Sequence, residues 1–179
     1  MATMGALAPL AFRLPFGRTP ATKELKLISA LIRERVPGLF ERAGSVGADV
    51  PIQARRFSPG VVGGFEFERD PKWLGINREW LTPKNRDETV SGMIHEMFHP
   101  LVRKMPPKHL QRIAERAEFK LPFQDLEDIV ASPGTYYEPG PGSHPNDVLE
   151  ELVTRLMEQN VMRKRFPDLP VRGISGAEA

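Results

Sequence analysis

The chain of 179 residues is 40% hydrophobic and 27% charged, which places it among folded single domains and sets aside disordered or fibrous classes. Its net charge of +2 and pI near 9.0 reflect a slight basic excess scattered among acids, so nucleic acid is not an expected partner. There is no cysteine, which excludes disulfide frameworks, thiol catalysis and Cys-ligated metals, and no apolar run approaches the ~20 residues of a membrane span.

Residues 1–18 contain no acidic side chain but are interrupted by Pro9 and Pro15, and read as a flexible arm ahead of one domain over 19–166. That domain opens with Thr19-Pro20 at N-cap and N1 of a helix whose Leu25, Ile28, Leu31 and Ile32 recur at helical spacing. Pro37-Gly38 should break it, leaving a short continuation to about Arg42. In "GGFEFER" Phe65 and Phe67 alternate with Glu66 and Glu68, and "KWLGINREWL" follows the turn residues Asp70-Pro71. A hairpin is expected there, with "IQARRF" as a third strand and Gly63, Gly64 and Gly75 marking twist or close approach.

The clearest helix is "TPKNRDETVSGMIHEMFHPLVRKM". Val90, Ile94, Met97, Phe98, Leu101 and Val102 make one apolar stripe, with Asp87 and Glu88 early and Arg103 and Lys104 late, as the helix dipole favours. Pro100 should kink or end it. A further helix is expected after Pro106-Pro107, then a Pro/Gly-rich connector holding a short helical "QDLEDIVA". The last helix, "NDVLEELVTRLMEQNVMRKRF", has Val148, Leu149, Leu152, Val153, Leu156 and Met157 as its expected core face, and the tail over 167–179 reads as disordered.

Within the third of these helices stands His95-Glu96-Met97-Phe98-His99. A spacing of four puts two imidazoles one turn apart on one face, where both can reach a single zinc ion. Glu96 is then not a ligand but a base for the water at the metal. Helical phasing turns His95, Glu96 and His99 away from the apolar stripe, onto a face that a cleft can use. An ordinary solvated face would be built of Lys, Arg, Glu and Gln, whereas here two of the four histidines in the chain flank a glutamate.

This segment resembles the active-site helix of the zincin metallopeptidases. The order of helix, small twisted sheet and His-Glu-x-x-His helix is similar to the compact, single-domain gluzincin-like peptidases found among phage and mobile-element proteins. The resemblance implies an α+β fold with a small antiparallel or mixed sheet and a C-terminal helix supplying the third ligand. It implies a zinc-dependent peptidase with one Zn2+ per chain, a peptide or protein as substrate, and Glu96 as general base. The metzincin branch does not fit, because neither Gly nor His follows His99 at the required positions. On the gluzincin pattern the third ligand is Glu151, with Glu150 the alternative.

Gluzincins often carry an aspartate four residues after that ligand, bonded to a zinc-binding histidine. Here the position is Arg155 counted from Glu151, which could not accept an imidazole N–H, or Thr154 counted from Glu150, which could, and Asp147 is another group that could orient an imidazole. Tyr136, Tyr137 and His144 are the candidate donors to a developing oxyanion or to substrate. The hairpin edge could add an extended peptide as one more strand. The rival expectation is a zincin-like module that holds zinc for binding or regulation with little turnover, against which an intact Glu96 argues. A cytoplasmic setting fits the absence of cysteine as well as any other.

Overall fold

A computed structural model describes residues 20–44, 49–66, 72–118 and 147–169. It is an α+β structure in which helices pack around a small mixed sheet of three strands. Helix α1 spans Pro20–Arg35 and α2 spans Leu39–Ala43, separated at Pro37-Gly38 as the sequence requires. Gly38 takes φ 75°, a left-handed conformation that favours glycine. Strands β1 (Ile52–Arg55), β2 (Gly63–Glu66) and β3 (Trp73–Asn77) follow.

The sheet order is β1-β3-β2, with β1 parallel and β2 antiparallel to β3. The expected hairpin is therefore β2–β3, and "IQARRF" supplies the third strand on the far side of β3. Register sets Ile52 and Phe65 across from Leu74, and Ala54 and Gly63 across from Ile76. These residues share one face because strand side chains alternate, and that face closes on the core with Ile28, Ile32, Phe40, Met93, Ile94 and Met97. The alternation expected at Phe67 and Glu68 lies outside the described residues. The strand in "KWLGINREWL" stops at Asn77, where a 3-10 turn over Arg78–Trp80 takes over.

Helix α3 spans Arg86–Val102. Thr82 caps the 3-10 turn before it by accepting from Asn85 N at 3.4 Å, and Asp87 and Glu88 occupy its first turn. Arg86 ties this end to α1 by donating to the buried Glu24, with Nη2 3.1 Å from Oε2. Pro100 does not end the helix. It falls in the last turn, Val102 is still helical, and Arg103 N donates to His99 O at 3.0 Å, so only the bond Pro100 cannot make is forgone.

Every residue from Thr89 to Pro100 is buried except Glu96, which is half-buried. This stretch of the helix is thus enclosed except at Glu96. Gly92 lets it come close to the sheet layer: a Cβ there would meet Val62 Cγ1 at 2.6 Å, just before β2 begins.

Helix α4 (Pro107–Glu118) and α5 (Asp147–Arg165) complete the described fold. The apolar stripe expected on α5 goes mainly to α4. Leu152 and Val153, with Leu149, Leu156 and Met157, join Val102, Leu110 and Ile113 in a second hydrophobic cluster. Toward α3 this helix presents Glu151, Thr154 and Glu158, all buried, while Met162 and Phe166 reach the main core. Beyond the helix the chain stays packed through Leu169, with Asp168 in an ion pair to Arg35 at 2.5 Å. The arm, the connector with its expected short helix, and residues 170–179 lie outside the described residues.

Candidate metal centre

The polar stripe of α5 meets the His95–Glu96–His99 face of α3. Nε2 of His95 and Nε2 of His99 stand 3.2 Å apart, with the rings edge-on at 81°. Glu151 faces the pair, its Oε1 3.3 Å from His95 Nε2 and its Oε2 3.6 Å from His99 Nε2. These two nitrogens and a carboxylate oxygen lie within 4.8 Å of one another, and all three residues are buried. Donors of this kind, two imidazoles and one carboxylate, are those a zinc ion takes.

The opposite nitrogen of each ring is held by a second carboxylate. His95 Nδ1 lies 2.9 Å from Glu158 Oε2, and His99 Nδ1 lies 2.7 Å from Glu150 Oε1. With a proton on each Nδ1, both imidazoles turn their Nε2 lone pairs toward the shared position, the arrangement in which histidine binds a metal. Glu158 is fixed in turn by Ser91 Oγ, and Glu150 by Arg103, whose Nε lies 2.9 Å from both carboxylate oxygens. Arg155 Nε stands 3.2 Å from Glu151 Oε1.

Of the two glutamates left open by the sequence, then, Glu151 faces both Nε2 atoms and Glu150 stands behind His99. Thr154 does not orient a histidine. Its Oγ1 is buried without a hydrogen-bond partner, and the role falls to Glu158, one turn further on. The side chain of Asp147, together with Tyr136, Tyr137 and His144, lies outside the described residues. Sequence reasoning missed Glu158, Ser91, Arg103 and Arg155. A signal existed for two of them: Glu158 follows Glu151 by two helical turns, and Ser91 precedes His95 by one.

Electrostatics follow from burial and crowding. Burial opposes the cationic form of His95, but the Glu151 and Glu158 carboxylates outweigh it and raise its pKa to about 10. Burial pushes the Glu151 carboxyl up, yet His95, His99 and Arg155 together hold it well below the usual carboxylate range. Glu158 is lowered likewise, against burial, by His95, Arg155 and Ser91. Glu96 goes the other way: burial raises its pKa, only partly offset by His99 and His95. The Glu96 carboxyl is half-buried and within electrostatic reach of the cluster.

Glu151 Oε1 lies among the charges that test whether a cation belongs here. It is buried and, despite its charged neighbours, meets no donor in hydrogen-bonding geometry. Carboxylates (Glu150, Glu151, Glu158, with Glu96 beside them) outnumber guanidiniums (Arg103, Arg155), which leaves uncompensated negative charges once His95 gives up its proton. A divalent ion balances them. The donor set and the charge balance both fit zinc.

In comparisons with protein-family models, curated proteins and solved structures, nothing matches this chain.

Proposed function

We propose that the protein is a zinc-dependent peptidase of the compact zincin-like, gluzincin-type kind, holding zinc through His95, His99 and Glu151. The observation that carries this reading is the convergence of both Nε2 atoms and the Glu151 carboxylate at one buried point, each ring backed by its own carboxylate. Zinc bound there supplies Lewis acidity, polarising a carbonyl and bringing the pKa of water toward ~7.

The chain's own residues supply the rest. Glu96 is the one position between Thr89 and Pro100 that is not buried, so its carboxylate is the group substrate and water can reach. It accepts the proton of the attacking water and returns it to the leaving amine nitrogen, and its raised pKa suits both transfers. Glu158 and Glu150 keep the two imidazoles in the ligating tautomer. Strand β2 is an edge of the sheet, and the Val62–Gly92 contact sets its start against α3 one turn before Glu96. An extended peptide added to that edge would run past Glu96, which favours a polypeptide substrate.

Metal content and cleavage of an unfolded polypeptide test the reading together. Wild type is expected to hold about one zinc per chain and to cleave, and Glu151→Ala to lose both. Glu96→Gln should keep the zinc while cleavage falls by ~100-fold or more. Failure of wild type to bind zinc, even on reconstitution, would overturn the proposal. Stoichiometric zinc without cleavage would instead favour a zinc-holding binding module.

A further inference from the structure

Along the inner face of α5, Glu151, Arg155 and Glu158 follow one another at i, i+4 and i+7, so a guanidinium is set between two carboxylates. Its Nε lies 3.2 Å from Glu151 Oε1, and its Nη1 lies 3.8 Å from Glu158 Oε2. The Arg155 side chain is only 14% exposed, a costly place for a cation unless it has a task. Glu158 is already engaged by His95 Nδ1 and Ser91 Oγ. Glu151 Oε1 has no hydrogen bond, and Arg155 is the closer of its two charged neighbours.

We propose that Arg155 is a positioning residue that claims Oε1 of Glu151, so that this carboxylate offers a metal one oxygen and a coordination position stays open. The inference rests on the metal site proposed above. An anion behind a ligating imidazole makes it a better donor, which is the part of Glu158 and Glu150. A cation behind a ligating carboxylate does the reverse: it draws charge from the ligand and keeps one oxygen off the ion. Arg155 thus gives up metal affinity for an open position, and a catalytic zinc needs that position as much as it needs its three ligands.

This role has an opposite sign to a structural one. If Arg155 merely braced α5, its loss would loosen the site and weaken metal binding. As a restraint on Glu151, its loss should free both carboxylate oxygens, tighten metal binding and add a fifth ligand beside the water. The experiment uses cobalt(II) and zinc with the full chain, in wild type, Arg155→Ala, Arg155→Gln and Arg155→Lys, with affinity read by chelator competition and coordination by the visible spectrum of cobalt.

Wild type should show the intense visible bands of four-coordinate cobalt. Arg155→Ala and Arg155→Gln should both bind cobalt and zinc at least about tenfold more tightly, with the weaker bands of a five-coordinate ion. Arg155→Lys should fall between them and wild type. Arg155→Gln nearly keeps the side-chain length, so it holds the test open if the alanine variant folds poorly. Equal or weaker binding with an unchanged spectrum in a folded Arg155→Gln would overturn the role of Arg155 and leave the metal site standing. Absence of cobalt and zinc uptake in wild type would sink the metal site itself, and this proposal with it.

Discussion

Metal uptake should expel a proton from His95. In the metal-free protein Glu151 and Glu158 raise its pKa to about 10, so near neutral pH the ring is a cation with both nitrogens protonated. Nδ1–H serves Glu158 and Nε2–H points toward Glu151. A ligating nitrogen must be bare, so the ion has to displace the Nε2 proton. At about pH 7.5 that proton is still firmly held, so displacing it costs binding roughly 3 kcal/mol, or on the order of 100-fold in affinity.

The sign follows directly: raising the pH weakens the proton's hold and strengthens the metal's. Zinc affinity, corrected for buffer binding, should rise about tenfold per pH unit between about 6.5 and 8.5. Any proton that Glu96 gives up, its pKa being raised by burial, adds to the release. Titration calorimetry in two buffers of different ionisation enthalpy counts the protons, and about one or more should leave per zinc near pH 7.5. Release of less than about half a proton, with affinity flat over that range, would refute the reasoning. It would mean that His95 is neutral before the metal arrives and that Glu151 is not paired with it.

Glu150→Ala should keep one zinc per chain but bind it about 10- to 100-fold more weakly, since it removes the carboxylate behind His99 and not a ligand; loss of stoichiometry would make Glu150 a ligand after all. Gly92→Ala drives a Cβ to 2.6 Å from Val62 Cγ1 and should cost about 1–3 kcal/mol in denaturant unfolding, with Val62→Ala restoring much of the loss. Without metal, the pairing of His95 stabilises the fold fully below its unfolded pKa of about 6.5, and is lost as pH rises through about 10. The lowered carboxyls of Glu151 and Glu158 contribute above their unfolded value of about 4.5, and that part is lost on further acidification. Metal-free stability should therefore peak between these two values, with Glu96 tilting it to the acid side, and zinc should move the optimum upward. Unfolding midpoints across a pH series, with and without chelator, check both statements.

Sequence alone determined what local periodicity can encode. A spacing of four fixes two imidazoles on one face of α3 wherever that helix lies, and the stripe from Val90 to Val102 commits its opposite face to the core. The β2–β3 hairpin, the third strand and the break at Pro37-Gly38 were legible for the same reason, since alternation and backbone restrictions act between near neighbours. The third donor was legible only as a pair of adjacent glutamates. The apolar stripe puts Glu151 further round than Glu150, which by itself counts against Glu151 as the inward-facing residue; it misleads because that stripe marks the face of α5 that packs on α4.

Only the tertiary structure decided that the other face of α5, lined by Glu151, Thr154 and Glu158, is buried against α3. A run of acids reads as a solvated face when burial is inferred from hydrophobicity, and these acids are buried because imidazoles, guanidiniums and a hydroxyl meet them across the interface. Glu158 behind His95, Glu150 behind His99 and Arg155 beside Glu151 depend on how two helices far apart in the chain are set against each other. Spacing along α3 sets the two imidazoles side by side, and the angle and register between α3 and α5 supply the facing carboxylate and the groups that orient the rings.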